Sequence, residues 1–238
     1  MAAIEDIFPH IYAVPLGYVN AFMLEEEDGL TLIDAGLRGN ERRIWKAVTK
    51  IERQPGDLRH VLVTHHHADH VGSLAAIKEA SSAEAYVHPL DAPIVAGEKP
   101  RPPANRGSIT GRMFGRLIER LPMYKPAPAT AEHEINDGDE LAIGGGVRVI
   151  HTPGHTAGHV SFFVEAHGGV VFAGDAAGNM FGRIGKPLLM YTEDMDEAKA
   201  SMRKLAELEF DTACFGHGKV LKGKAHLAFR RYVEKMAR

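Results

Sequence analysis

Cysteine is nearly missing from this 238-residue chain, with Cys214 standing alone. An internal disulfide is thereby excluded, and so are metal sites built from several thiolates. Long apolar runs are missing too: nothing approaches the roughly 20 residues of a helical membrane span. The opening stretch MAAIEDIFPHIYAVPLGYVN has acids where a secretory leader carries positive charge, and it lacks the leader's apolar centre. These absences give the expectation of a cytoplasmic protein in a reducing compartment. Excess charge is lacking as well, since a formal net of −3 offers no general attraction for nucleic acid. No G-x-S-x-G occurs to build a serine nucleophile elbow, and the glycine-rich stretches spell no phosphate or dinucleotide loop. No Pro/Gly/Ser-rich linker divides the chain, so one domain over 1–238 is expected.

The composition, 45% hydrophobic and 25% charged, is ordinary for a folded protein. LTLID at 30–34 and VLVT at 61–64 are short β-branched runs ended by polar residues, which reads as buried strands. Between them Ile44, Trp45, Val48 and Ile51 recur at helical spacing, with Asn40 placed to cap the start. A helix through SLAAIKEA and a strand at AYVHP repeat the alternation, which makes this an α/β chain. Later come the strand-like runs RVIHTP, HVSFFVE and GVVFAGD, separated by the turns GGG at 144–146 and HGG at 167–169. A helix follows through TEDMDEAKASMRKLAELE, with Thr192 or Asp194 as its cap, then a strand at TACF and a terminal helix.

The least regular region is 97–128. It holds a local net charge of +5 in a chain that is otherwise −8. Within it Met113, Phe114, Leu117, Ile118 and Leu121 share one helical face, opposite Arg112, Arg116 and Arg120. Such a helix serves as a pocket lid or wall, as a homodimer contact, or as a solvated surface helix; a membrane surface is the remaining alternative.

The chemistry concentrates in HHHADH, immediately after the run at 61–64. The spacing H-x-H-x-D-H selects His65, His67, Asp69 and His70. A loop leaving a buried strand can fan these around one point, whereas a continuing strand would send alternate side chains to opposite faces. Imidazole nitrogen and carboxylate oxygen suit zinc, and also iron or manganese. Further ligand types wait at other strand ends: Asp34, His155 in HTPGHTAGH, Asp175 in FAGDAAG and His217 in CFGHG. Sites of α/β sheets tend to sit at such ends. His66, His151 and His159 neighbour the cluster and carry the weaker expectation of a supporting role. Cys214 reads as a structural thiol in a buried strand.

These five motifs, in order over 34–217, resemble the metallo-β-lactamase superfamily of metal-dependent hydrolases. The resemblance implies a four-layer αββα sandwich with its site at one edge. It implies two metal ions: His65, His67 and His155 on the first, Asp69, His70 and His217 on the second, and Asp175 bridging them. Asp34 would support the ligands from beneath. The presence of His70 matches the glyoxalase II and lactonase branches. Two zinc ions, with iron or manganese as alternatives, would share a water and lower its pKa toward about 7. Asp69 and Asp175 are the carboxylates beside that hydroxide, which would attack an ester, lactone or thioester carbonyl of a small-molecule substrate, one carrying negative charge if the basic segment binds it.

Within the resemblance the branch stays open. Only 21 residues follow His217, short of the helical region of longer glyoxalase II enzymes. Lactonases place a tyrosine three residues after the bridging aspartate, where this chain has Gly178; Tyr18, Tyr124 and Tyr191 are the tyrosines that would have to substitute. β-Lactam hydrolysis, persulfide oxygenation at a single iron, and non-catalytic metal binding are the alternatives.

Overall fold

A computed structural model describes residues 4–102, 120–180 and 182–236. The basic amphipathic helix read from the sequence at 112–121 lies outside the described residues, except for Arg120 and Leu121.

The chain opens with a meander that the sequence reading passed over: β1 (Glu5–Phe8), β2 (Ile11–Pro15) and β3 (Asn20–Glu26) pair antiparallel in series. Next, β4 (Gly29–Ile33) folds back antiparallel onto β3, and β5 (Leu58–Leu62), β6 (Glu84–Val87) and β7 (His133–Glu134) add in parallel. The result is a seven-stranded mixed sheet in chain order. The parallel crossovers carry α1 (Glu41–Lys50), the one-turn α2 (Ala68–Val71) with α3 (Leu74–Ser81), and the short α4 (Ala92–Val95).

A second sheet follows from β8 (Glu140–Leu141), β9 (Val147–His151), β10 (Val160–Val164) and β11 (Val170–Phe172). A separate hairpin of β12 (Gly178–Met180) and β13 (Arg183–Gly185) precedes α5 (Met195–Ala206). Then β14 (Thr212–Cys214) and β15 (Leu221–Lys222) join the second sheet, and α6 (Ala225–Met236) ends the described chain. The sheet order is β15-β14-β11-β10-β9-β8, with β11 and β14 its parallel pair.

Period-two alternation explains how these sheets find each other. In β3, Phe22 and Leu24 face the other sheet while Ala21 and Met23 face outward; in β10, Phe162 and Val164 face inward and Phe163 outward. Both sheets thus bury one face against the other, around Phe22, Ile33, Leu62, Phe162 and Phe172. The outer face of the first sheet is covered by Ile44 and Val48 of α1 and by Leu74 and Ile77 of α3. Met202 and Leu205 of α5 and Phe229 of α6 cover the outer face of the second. Each such fully buried side chain contributes about 1.5–3 kcal/mol relative to exposure. The layers therefore run α, β, β, α, the architecture expected from the sequence. No helix among the described residues is long and apolar enough to cross a membrane.

Two caps differ in outcome. Asp194 caps α5, accepting the amides of Asp196 and Glu197 at 2.8 and 3.0 Å. Asn40 does not cap α1 with its side chain; its Oδ1 turns back to accept the Leu37 N–H at 2.9 Å.

Candidate metal centre

Parallel pairing brings the polar residues together. Because β4 and β5 run side by side, their C-terminal ends set Asp34 against Thr64: Asp34 Oδ1 accepts the Thr64 amide at 2.9 Å, and Oδ2 accepts its hydroxyl at 2.8 Å. In the second sheet β11 and β14 end together, which places Asp175 beside His217, Nε2 to Oδ2 3.3 Å. The two sheet edges meet at one point. His65 and His67 lie on the loop after β5, whereas Asp69 and His70 ride on α2, so the motif is half loop and half helix rather than the pure loop read from sequence. His155 follows β9.

Three sets of ligand atoms converge there, each within 4.8 Å of one another: His65, His67 and His155; His65, His70 and Asp175; Asp69, His70 and His217. His67 Nδ1 stands 3.1 Å from His65 Nε2 and 3.0 Å from His155 Nε2. Nitrogens bound tetrahedrally to zinc at about 2.0–2.1 Å stand roughly 3.3 Å apart, so these two separations are close to the edge length of such a site. His70 Nε2 and Asp175 Oδ1 face each other at 3.5 Å, both buried and neither hydrogen bonded. A buried acceptor without a partner is costly in an apolar setting, and a cation is the partner that such an arrangement fits.

The outward nitrogens are already engaged, which fixes the rings. His70 Nδ1 pairs with Asp34 at 2.8 Å, His65 Nδ1 with the Thr64 hydroxyl at 3.0 Å, and His155 Nδ1 with the Thr192 hydroxyl at 3.3 Å. His217 Nδ1 donates to the Tyr18 carbonyl at 2.9 Å. Each then turns Nε2 inward, the arrangement by which outer partners orient metal-binding imidazoles.

Electrostatics separates the imidazoles. Burial, followed by the neighbouring His70, His67 and His155, holds His65 well below its ordinary value, and burial with His155 does the same to His67. Burial alone would lower His70, yet Asp34 and Asp175 raise it to about 9; His217, again against burial, is raised to about 10 by Asp175 and Asp69. Asp175 is held well below the usual carboxylate range because His217 and His70 outweigh its burial.

Asp91 escaped the sequence reading. It is 1% exposed, and its Oδ2 accepts the His66 amide and the Thr156 hydroxyl, both at 2.9 Å, while Oδ1 accepts the Gly158 amide at 3.0 Å. It thereby ties the His65/His67 loop to the loop of His155. His66 Nδ1 also lies 3.0 Å from its Oδ2. His159 accepts the Asp175 amide at 3.0 Å, and His151 contacts the Ala157 carbonyl at 3.0 Å. Cys214 is buried, and burial pushes its thiol up, away from nucleophilic use.

A cavity of about 890 Å³ opens over the centre, with His67, Asp69, His155, Asp175 and His217 at its floor. Tyr18, Tyr124 and Tyr191 all line it, as do Lys99, Arg101, Lys125 and Lys186. Tyr18 stacks on the His217 ring at 5.6 Å between centroids, and its hydroxyl meets that of Tyr124 at 3.1 Å.

This fold and cluster define a class, and the chain matches the description "Metallo-beta-lactamase superfamily" over residues 14–217. The protein belongs to that superfamily of metal-dependent hydrolases. It is 26% identical over 228 residues to "Probable metallo-hydrolase YflN" of Bacillus subtilis, covering 90% of this chain and 86% of that protein. It is 30% identical over 201 residues to a hydroxyacylglutathione hydrolase of Chelativorans sp., covering 81% of this chain but 59% of the relative. A metallo-β-lactamase of Cronobacter sakazakii, a HARLDQ motif mutant, superposes with a TM-score of 0.75 at 23% identity, over 100% of this chain and 94% of that one. That likeness concerns the fold.

Proposed function

We propose that the protein is a dinuclear zinc hydrolase of ester, lactone or thioester carbonyls. The observation that carries this reading is the buried, hydrogen-bond-free pair His70 Nε2 and Asp175 Oδ1, set between two groups of converging imidazoles and carboxylates. His65, His67 and His155 would hold one ion, Asp69, His70 and His217 the other, and Asp175 both. Two divalent cations bound there supply a Lewis acid for the substrate carbonyl and bring the pKa of a water toward about 7.

The chain's own groups do the rest. Asp34 and Thr64 keep His70 and His65 turned inward, and Asp91 keeps the two ligand loops in register. Asp69 and Asp175, at the cavity floor, are the carboxylates placed to hold and orient the water. The four cationic residues on the walls favour an anionic substrate. Among the alternatives a thioester has specific support, because several relatives are named hydroxyacylglutathione hydrolase; this chain spans about half the length of two of them. A lone buried thiol also fits the reducing cytoplasm that is part of this proposal.

The test is metal content per chain on protein purified without added metal, followed by turnover of matched lactone, thioester and β-lactam substrates before and after chelation. About two zinc per chain and chelator-sensitive turnover are expected. One iron per chain with oxygen uptake, or bound metal with no turnover of any substrate, would refute the proposal.

A further inference from the structure

Seven large apolar side chains stand exposed among the described residues; five of them, Tyr18, Leu121, Met123, Leu188 and Leu189, are lining residues of the cavity or close neighbours of such residues in the chain. Tyr18 and Leu188 line the cavity themselves; Leu121 and Met123 adjoin Tyr124, and Leu189 adjoins Leu188. Leu188 is 61% exposed. Single exposed leucines are ordinary on any surface, but Tyr18 and Leu188 are exposed within the cavity lining itself, where apolar surface favours an apolar ligand group. Farther in, Ile94, Pro126 and Pro187 continue the apolar lining. The same walls carry Lys99, Lys125 and Lys186. Apolar and cationic groups therefore share one opening.

Volume points the same way. Ligand pockets run from about 300 to 1,000 Å³, and at about 890 Å³ this cavity lies near the top of that range. A two- or three-carbon acyl group would leave most of it filled with water. A second copy of the chain is a poor occupant, because a two-fold interface would set Lys125 and Lys186 against the same patch of positive charge. A substrate with both characters satisfies both kinds of wall.

We propose that the substrate is a two-armed acyl compound, with an apolar acyl chain of several carbons lying over Leu188 and the 121–124 turn, and an anionic leaving group held by the lysines. This rests on the hydrolase reading above. Hydrolysis adds the oxygen of one water to the acyl carbon and breaks the bond to sulfur or oxygen. The products are a carboxylate, a free thiol or alcohol, and one proton released to solvent.

The probes are acetyl, butanoyl and octanoyl thioesters of mercaptosuccinate, each beside its neutral dimethyl ester, with metal-loaded protein and colorimetric detection of the released thiol. Cys214 is buried and adds no background. Removing one methylene fully from water is worth about fourfold, so a partly covered octanoyl chain should raise kcat/KM over acetyl by on the order of tenfold or more. Neutralising the leaving group should lower it roughly fivefold, less so at high salt. Leu188→Asp should flatten the dependence on chain length, and Lys186→Glu the dependence on charge. Metal-dependent turnover that ignores both chain length and charge would overturn this inference and leave the hydrolase reading standing. No turnover of any ester, lactone or thioester would overturn the hydrolase reading itself. Sedimentation is the second measurement: a dimer lost in Leu188→Asp, with the chain-length dependence intact, would make the rim a subunit contact and overturn the proposal.

Discussion

Asp91 shows how much a single residue can organise without touching a substrate. Three donors from two loops converge on its carboxylate, and burial would favour its neutral form, but hydrogen bonding from His66 and Thr156 holds it below the usual carboxylate range. In Asp91→Asn one acceptor oxygen becomes an NH₂ that faces an N–H or O–H donor. Metal affinity should fall about 10–100-fold, the usual effect of removing a group that orients ligands. Competition with a chromogenic chelator measures this, and circular dichroism separates it from unfolding; unchanged affinity would reduce Asp91 to a packing role. Sequence reading could not reach this residue. His65, His67, Asp69 and His70 are legible because they crowd into six positions, whereas Asp91 sits in an ordinary HPLDAP and meets its partners only through the fold. The tyrosines are similar: Tyr18 and Tyr124 touch, although 106 positions separate them.

Among the elements, α2 is a single turn held tightly by its neighbours. The Ala35 amide donates to the His70 carbonyl at 2.6 Å, and the Gly72 amide donates to the Gly36 carbonyl at 2.7 Å, so the C-terminal half of this single turn is sewn to the loop after β4 by two bonds. A Cβ on Gly72 would run into the backbone of Leu37 and Arg38. Gly72→Val should therefore destabilise by about 1–3 kcal/mol. For a chain of this size that is roughly 2–12 °C in thermal midpoint. It should also lower bound metal, since Asp69 and His70 move with the turn; a melt and a metal assay on the same sample check both, and full metal occupancy would argue against that coupling. After residue 29 the longer elements were readable, because β4, β5, β9, β10 and β11 are β-branched or apolar runs and α1 and α5 amphipathic periods. By contrast α4, β7, β8, β12, β13 and β15 are too short to carry a period. The opening meander was not readable either. Its strands are short, with polar or half-exposed ends in Glu5, Asp6 and Glu26, and only pairing with one another and with β4 makes them a sheet.

At the scale of the whole molecule, the site competes with protons. His70 and His217 are raised to about 9 and about 10 in the metal-free protein, above the ordinary imidazole value near 6.5. Their charged forms contribute stability that is fully present below about pH 6.5 and is lost as pH rises through those two values. Under the proposed assignment both rings hold metal and must be neutral to do so, so metal binding must displace those protons. The rise in thermal midpoint on adding metal should therefore grow from about pH 6 to about pH 9, with protons released on binding. Calorimetry in buffers of different ionisation heat reads the release directly, and a pH-independent gain would contradict it. The four layers were foreseeable from the motif resemblance, and the basic segment 97–128 was expected as a lid or pocket wall. The rest of the cavity lining was not legible, because Tyr18, Ile94 and residues from 185–191 join it only after both sheets close. That division has an evolutionary corollary. The cluster hangs from strand ends and helix turns fixed by the core, while the mouth is assembled from separate loops, so substitutions can change what is accepted without disturbing how it is cleaved. Two proteins with every histidine and aspartate of this cluster in common need share no metabolite, and the loops, not the motif, are where divergence in diet should be sought.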